Sequence, residues 1–261
     1  MVKARVELHG PSGAQWAELV VDGPPLNLFD AAMVADLATA IDSLPTSGAR
    51  AVLLRAEGKV FCAGVDVKEF LDRDAAAGGE LMGSYLAMVH ALEALPVPTL
   101  AVVHSLCLTI GLELALGCDL LWAAEEASLG LVEATVGLTP GGGGTQRLVA
   151  RAGVARAAEA VLTGATYTAE VFREWGVVNR VLPGEGLLEA ARTYAGQLAA
   201  GPTLAAGVGK RLLHAARDGG VGAADAITAA QTGLVFPSED LRAGVQSLLA
   251  DGPGKATYAG R

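Results

Sequence analysis

Glu113 lies inside CLTIGLELALGCDLLWAA (residues 107–124), where almost every other side chain is apolar. An ionised carboxylate in such a setting is costly unless its pKa shifts or partners solvate it, so a glutamate here needs a reason. It follows Ile110 by three residues. A helix opening near Ile110 would put the carboxylate in its first turn, where the dipole favours negative charge and N–H groups are free. Glu133 occupies a second weakly polar stretch, ASLGLVEATVGLTPGGGGTQRL (127–148), which runs into four successive glycines. Four glycines cost conformational entropy, so something must require the bare backbone there. A third stretch, FCAGVDVKEF (61–70), leaves the backbone little covered at Ala63, Gly64 and Val65 before a turn into a helix. N–H groups at such a place can meet an anion or a developing oxyanion. Each stretch also has a plain structural explanation, a helix-start carboxylate or a glycine turn. Together they fit proton transfer beside a carbonyl that becomes enolate-like, with amides holding the oxygen and glutamates moving protons.

Other chemistries lack their residues. The glycine run has no following Lys-Ser/Thr and is not a phosphate-binding P-loop, and neither G-x-S-x-G nor HExxH occurs. His9, His90, His104 and His214 show no ligand spacing, so no metal site is expected. Cys62, Cys107 and Cys118 are odd in number and form no CxxC, which argues against a disulfide framework and for a reducing cytosol. The net charge of −9 disfavours a non-specific nucleic-acid surface but leaves room for a phosphorylated small ligand. No apolar leader precedes the first strand-like segment.

Positioning these groups requires an ordered frame. The chain has 261 residues, 52% hydrophobic and 18% charged, which fits one large globular domain or a domain with an appendage. WAELVVDG reads as a strand ended by Pro24-Pro25. Asp30 is placed to cap a helix, AAMVADLATAIDSL. ARAVLLRAEG reads as a buried strand, LMGSYLAMVHALEAL as a helix stopped by Pro96 and Pro98, and TLAVVHS as a strand. Residues 99–124 are apolar over a length that could span a bilayer. However, His104, Glu113, Asp119 and two glycines interrupt them, so strand, turn, buried helix and strand is the reading. The alternation predicts an α/β fold with both sheet faces covered. Beyond Gly201 only helical segments follow, which divides the chain into a core (1–200) and a helical C-terminal segment (201–261).

These segments, in this order, resemble the crotonase (enoyl-CoA hydratase/isomerase) superfamily over almost the whole chain. FCAGVDVKEF resembles its oxyanion and CoA-binding segment, GLELALGCDLLWAA the helix with its first glutamate, and LGLVEATVGLTPGGGGTQRL the segment with its second. VLTGATYTAEVFREWGVVNRVLP and SEDLRAGVQSLLADGPGKATYAGR resemble later family segments. The resemblance implies a spiral of ββα turns and a C-terminal helical segment that builds trimers, often paired into hexamers, and lids the CoA site. It implies Glu113 and Glu133 as catalytic, the N–H groups of Val65 and Ile110 as the oxyanion hole, and Gly141 as a water-orienting amide. For CoA it implies Leu26, Ala63, Val65, Asp66, Val67, Lys68 and Lys255. No cofactor is implied, because coenzyme A is part of the substrate, and the partner is an acyl-CoA thioester, not a membrane or nucleic acid.

Glu113 is then expected at a pocket floor, charged because water and helix-start amides solvate it. Retention of both glutamates favours hydration of a trans-2-enoyl-CoA to a 3-hydroxyacyl-CoA. Isomerisation or another crotonase-type lyase or hydrolase reaction is the alternative, and a non-catalytic acyl-CoA-binding protein is the third reading. Two departures stand out. Thr109-Ile110 replace the family's usual glycines before the first glutamate, and the β-branched Ile110 is expected to restrict the backbone there. Pro24-Pro25 stand where a lysine is common.

Overall fold

The computed structural model describes residues 2–261 and is mixed α/β. Six strands form one sheet: β1 (Ala4–His9), β2 (Trp16–Val21), β3 (Val52–Ala56), β4 (Thr99–Val103), β6 (Leu120–Ala124) and β9 (Arg180–Leu182). They are ordered β1-β2-β3-β4-β6-β9, with β1 antiparallel to β2 and every later pairing parallel. A smaller sheet joins β5 (Cys107–Leu108), β7 (Ser128–Gly130) and β8 (Thr166–Thr168). Central strands β3 and β4 are buried at every position, which is why they read as continuous apolar runs instead of alternating ones.

Helices α1 (Ala31–Ser43), α2 (Ala75–Glu93), α3 (Ile110–Gly117), α4 (Gly144–Ala152), α5 (Val154–Thr163), α6 (Ala169–Glu174) and α7 (Gly184–Ala199) belong to the core. Asp30 caps α1, its carboxylate accepting from the Met33 N–H. The bilayer-length apolar run resolves into β4, β5, α3 and β6, and all eight residues of α3 are buried. Among the described residues, no helix is long and apolar enough to cross a membrane.

Two expectations need correction. The helix read from Leu81 starts at Ala75, because the Asp74 carboxylate caps it through the Ala77 N–H at 2.9 Å, while AAAGGE carries no apolar periodicity to reveal the first turns. The helix expected after FCAGVDV is only one 3-10 turn, Val67–Phe70. Beyond Gly201 come α8 (Thr203–Gly233) and α9 (Glu239–Asp251). A left-handed Gly220 (φ 76) breaks α8 between the two segments that read as separate helices.

Candidate active site

Helix α3 carries Glu113 into its first turn, where the Glu113 N–H bonds the Thr109 carbonyl at 2.9 Å. The side chain is buried, and its Oε1 accepts the Gly144 N–H at 2.8 Å. The Gly142 N–H adds a second backbone contact. The expected helix-start amide is present, and it belongs to α4, whose first residue is Gly144. This geometry accounts for the four glycines. A Cβ on Gly142 would lie 2.7 Å from Glu113 Oε2, one on Gly144 would lie 2.8 Å from its Cγ, and Gly143 is left-handed at φ 93. Helix α4 is held in place by a buried ion pair to α2, Arg147 Nη2 to Glu93 Oε2 at 2.6 Å. Burial raises the Glu113 pKa, and the two glycine amides oppose that shift.

Glu133 opens a 3-10 turn, Glu133–Val136, and is buried as well. Its Oε2 has no hydrogen-bond partner among the described residues. Burial pushes its pKa up to about 7, and the nearby Glu113 charge pushes the same way. Both glutamates line one cavity of about 100 Å³, together with Val65, Thr109, Ile110 and Gly141. Two buried acids of raised pKa lining one cavity are candidates for taking and giving protons.

Val65 and Ile110 also line the cavity. The Phe29 N–H bonds the Gly64 carbonyl and the Asp66 N–H bonds the Phe29 carbonyl, both at 2.9 Å, which turns the Val65 N–H the other way. Neither the Val65 nor the Ile110 N–H donates to a protein acceptor among the described residues. Asn27, buried and not singled out from the sequence, pins this loop. Its Nδ2 donates to the Glu57 and Val60 carbonyls, each at 2.8 Å.

The cost expected at Ile110 falls one residue earlier. Ile110 is the first helical residue, whereas Thr109 adopts φ 50 and ψ −122, a region that favours glycine. A β-branched residue held there stores about 1–3 kcal/mol of strain. Its Oγ1 is buried without a partner and packs against Gly64, where an added Cβ would come within 2.8 Å of it. Thr109→Gly is therefore expected to raise stability by about 1 kcal/mol, since strain relief exceeds the added chain entropy of glycine. A urea unfolding midpoint that stays put or falls would show that no strain resides there.

Of the other residues singled out, Ala63, Val67 and Gly141 line the cavity. Leu26 does not: its carbonyl accepts the Ala63 N–H at 3.0 Å and its side chain is exposed. Asp66 caps the Val67–Phe70 turn through the Lys68 N–H at 3.1 Å, and Lys68 is exposed beside it. Lys255 borders a separate shallow depression with Gln246 and Asp251, so within one chain it is not brought to the glutamates. Phe70, Met82 and Tyr85 also line the cavity. On α2, the helical period places Met82 and Tyr85 on an inward face without separating pocket from core.

Elsewhere the fold brings Glu7, His9 and Glu18 together across β1 and β2. Arginines occupy these carboxylates: Arg192 Nε meets Glu18 Oε1 at 2.6 Å, Arg55 pairs with Glu18, and Arg5 Nε meets Glu7 at 2.7 Å. The cluster is thus a charge network. The three cysteines are buried and free, and burial holds the Cys62 thiol at about 12, far from a reactive thiolate.

The family profile described as enoyl-CoA hydratase/isomerase matches residues 14–250. A probable enoyl-CoA hydratase of Bacillus subtilis (strain 168) is 31% identical over 238 residues, covering 89% of this chain and 92% of that relative. The mitochondrial methylglutaconyl-CoA hydratase of Rattus norvegicus is 37% identical over 148 residues, 56% of this chain and 47% of its own length. Among solved structures, an enoyl-CoA hydratase from Bacillus anthracis superposes with a TM-score of 0.91 at 28% identity, over 99% of this chain and 100% of that one.

Proposed function

The chain belongs to the enoyl-CoA hydratase/isomerase family, of the crotonase superfamily, and from that premise we propose that it hydrates a trans-2-enoyl-CoA to a 3-hydroxyacyl-CoA. One observation carries this reading: Glu113 and Glu133 line the same small cavity as Val65 and Ile110, whose N–H groups have no protein acceptor among the described residues. In this reading the thioester oxygen lies between the two amides. Water adds to C3 while Glu113 takes its proton, and the C2–C3 π electrons move onto the thioester to give an enolate. The amides hold that oxyanion, each worth about 10²–10³ in rate. Glu133 then delivers its proton to C2, so H and OH have been added across the double bond. Exchange through solvent then removes the proton from Glu113 and returns Glu133 to its acid form, and the Gly141 N–H orients the water.

The assignment fixes a pH dependence. Glu133 must be protonated and Glu113 ionised when substrate arrives. With Glu133 at about 7, kcat/KM is expected to fall roughly tenfold per pH unit above that value, while the raised Glu113 pKa sets the acid limb. The measurement is the decay of enoyl-thioester absorbance across the pH range, with Glu133→Gln expected to lose the alkaline limb. A profile flat from about pH 6 to 9 sinks the assignment.

The unpartnered Glu133 Oε2 also supports a second reading, isomerisation, in which it carries a proton between C2 and C4. Product analysis separates the two, since only hydration incorporates water.

We further infer that residues 201–261 serve oligomerisation and cover the CoA path, with Leu26, Ala63, Val65, Asp66, Val67, Lys68 and Lys255 along it. Exposed Leu213, Val221, Phe236 and Leu249 on α8, α9 and their connection support a trimer or a dimer of trimers. Light scattering is expected to give three or six times the chain mass, and a monomer overturns the inference. Coenzyme A enters and leaves as part of the substrate in this scheme. The three free thiols fit a reducing compartment, and we infer a cytoplasmic protein, which cell fractionation tests.

A further inference from the structure

Tyr85 and Thr109 are both buried on the cavity wall, and the hydration scheme gives neither hydroxyl a task; Thr109 Oγ1 packs against Gly64, which leaves Tyr85 as the candidate for a ligand contact. Tyr85 stands on α2, is 2% exposed, and lines the cavity together with Phe70 and with Met82, which lies one helical turn away. Its hydroxyl has no hydrogen-bond partner among the described residues. Buried hydroxyls are normally paired, so an orphan on a ligand-binding wall points to a partner that arrives with the ligand. Burial holds the phenol at about 12, so it remains a neutral donor at any working pH.

The rest of the wall narrows what that partner is. Apart from the glutamates, backbone and hydroxyl groups, the lining is apolar, and it contains no lysine or arginine. Arg73, the cation nearest in influence on Tyr85, is engaged by Glu69 at 3.2 Å, and Lys3 is engaged by Asp30, so neither cation is free to meet a ligand charge. An acyl group bearing a free carboxylate would therefore meet Glu113 and Glu133 with no compensating cation. A plain hydrocarbon tail would leave the phenol unpaired. A neutral oxygen satisfies it without adding charge.

We propose that Tyr85 is a specificity-determining residue, and that the acyl group taken by this site carries an uncharged hydroxyl or keto oxygen beyond C3, which accepts from the Tyr85 hydroxyl. The inference rests on the acyl-CoA reading above but not on turnover. Sites built to hydrogen-bond a substrate group discriminate strongly against analogues that lack it, because the site's own buried group is then stranded.

The test is calorimetric binding of saturated, unreactive thioesters: hexanoyl-CoA, its 4-, 5- and 6-hydroxy forms, and adipoyl-CoA, whose tail ends in a carboxylate. At least one hydroxylated form is expected to bind about tenfold tighter than hexanoyl-CoA, and adipoyl-CoA more weakly than either. In Tyr85→Phe, which removes only the hydroxyl, the hydroxyl preference is expected to shrink to about twofold or less. Equal binding of plain and hydroxylated forms, or a preference that survives in Tyr85→Phe, overturns the proposal. Should that variant not fold, the wild-type order of the three classes decides alone. A preserved preference with no hydration of any enoyl-CoA removes the hydratase reading and keeps this one, while intact hydration without the preference does the reverse. No binding of any thioester removes both.

Discussion

Glu113→Gln is expected to lower kcat for enoyl-CoA hydration by about 10²–10⁴-fold, and Glu133→Gln by a similar factor. Glutamine matches glutamate in volume, and its carbonyl can still accept the Gly144 N–H that Glu113 Oε1 accepts at 2.8 Å. The pocket should therefore survive while the ability to exchange a proton is lost. If the two carboxylates act on one water and one enolate, as proposed, the double variant is expected to be little worse than either single one. Acyl-CoA binding retained in both variants would show that the cavity is intact. Turnover within tenfold of wild type in either would falsify the acid–base assignment.

The same substitutions should leave a mark on stability. A carboxyl whose folded pKa is raised binds its proton more tightly in the folded state, so folding is favoured while it is protonated. That stability is lost as pH rises from the ordinary 4.5 of Glu133 through its folded value of about 7. Glu133→Gln removes the titration and should flatten that part of the stability curve, leaving a protein more stable at neutral pH and nearly inactive. Denaturant melts at several pH values read this directly.

Gly142→Ala is the second large effect. The added methyl would come 2.7 Å from Glu113 Oε2 and 2.8 Å from Ile110 Cδ1, so it strikes the proposed base and the residue proposed to supply an oxyanion amide together. Overpacking of this kind costs about 1–3 kcal/mol of stability, which a domain of this size survives. Hydration is expected to fall about 10²-fold or more, since displacing a reacting group by an ångström is enough for that. Gly78→Ala is the control: Gly78 lies within α2 with open space around its would-be Cβ, and the change should leave rate and fold intact. If Gly142→Ala retains wild-type kcat, the glycine run does not position Glu113.

Much of the frame was readable because it is set by short-range rules. Asp30 before AAMVADLATAIDSL marks a cap three residues ahead of the amide it accepts, and the structure has that bond at 2.8 Å. The apolar runs of β3 and β4 announce strands covered on both faces. The early start of α2 was not legible, because Asp74 acts through a cap bond while the following alanines and glycines carry no period.

By itself the sequence determined which chemical groups are present: two glutamates in apolar surroundings, glycine-rich stretches able to expose amides, and the ordered set of segments that resembles one superfamily. Those are properties of residue type and of spacing within a few turns. Only the tertiary structure decided that Glu113 accepts from the Gly144 amide thirty-one residues downstream, that Thr109 and not Ile110 carries the strained backbone, and that Tyr85 lines the cavity with its hydroxyl unpaired among the described residues. The physical reason is one of range. Helical period and capping act between neighbours in the chain, whereas the approach of α4 to α3 is fixed by packing and by the Arg147–Glu93 pair, which joins residues remote in sequence.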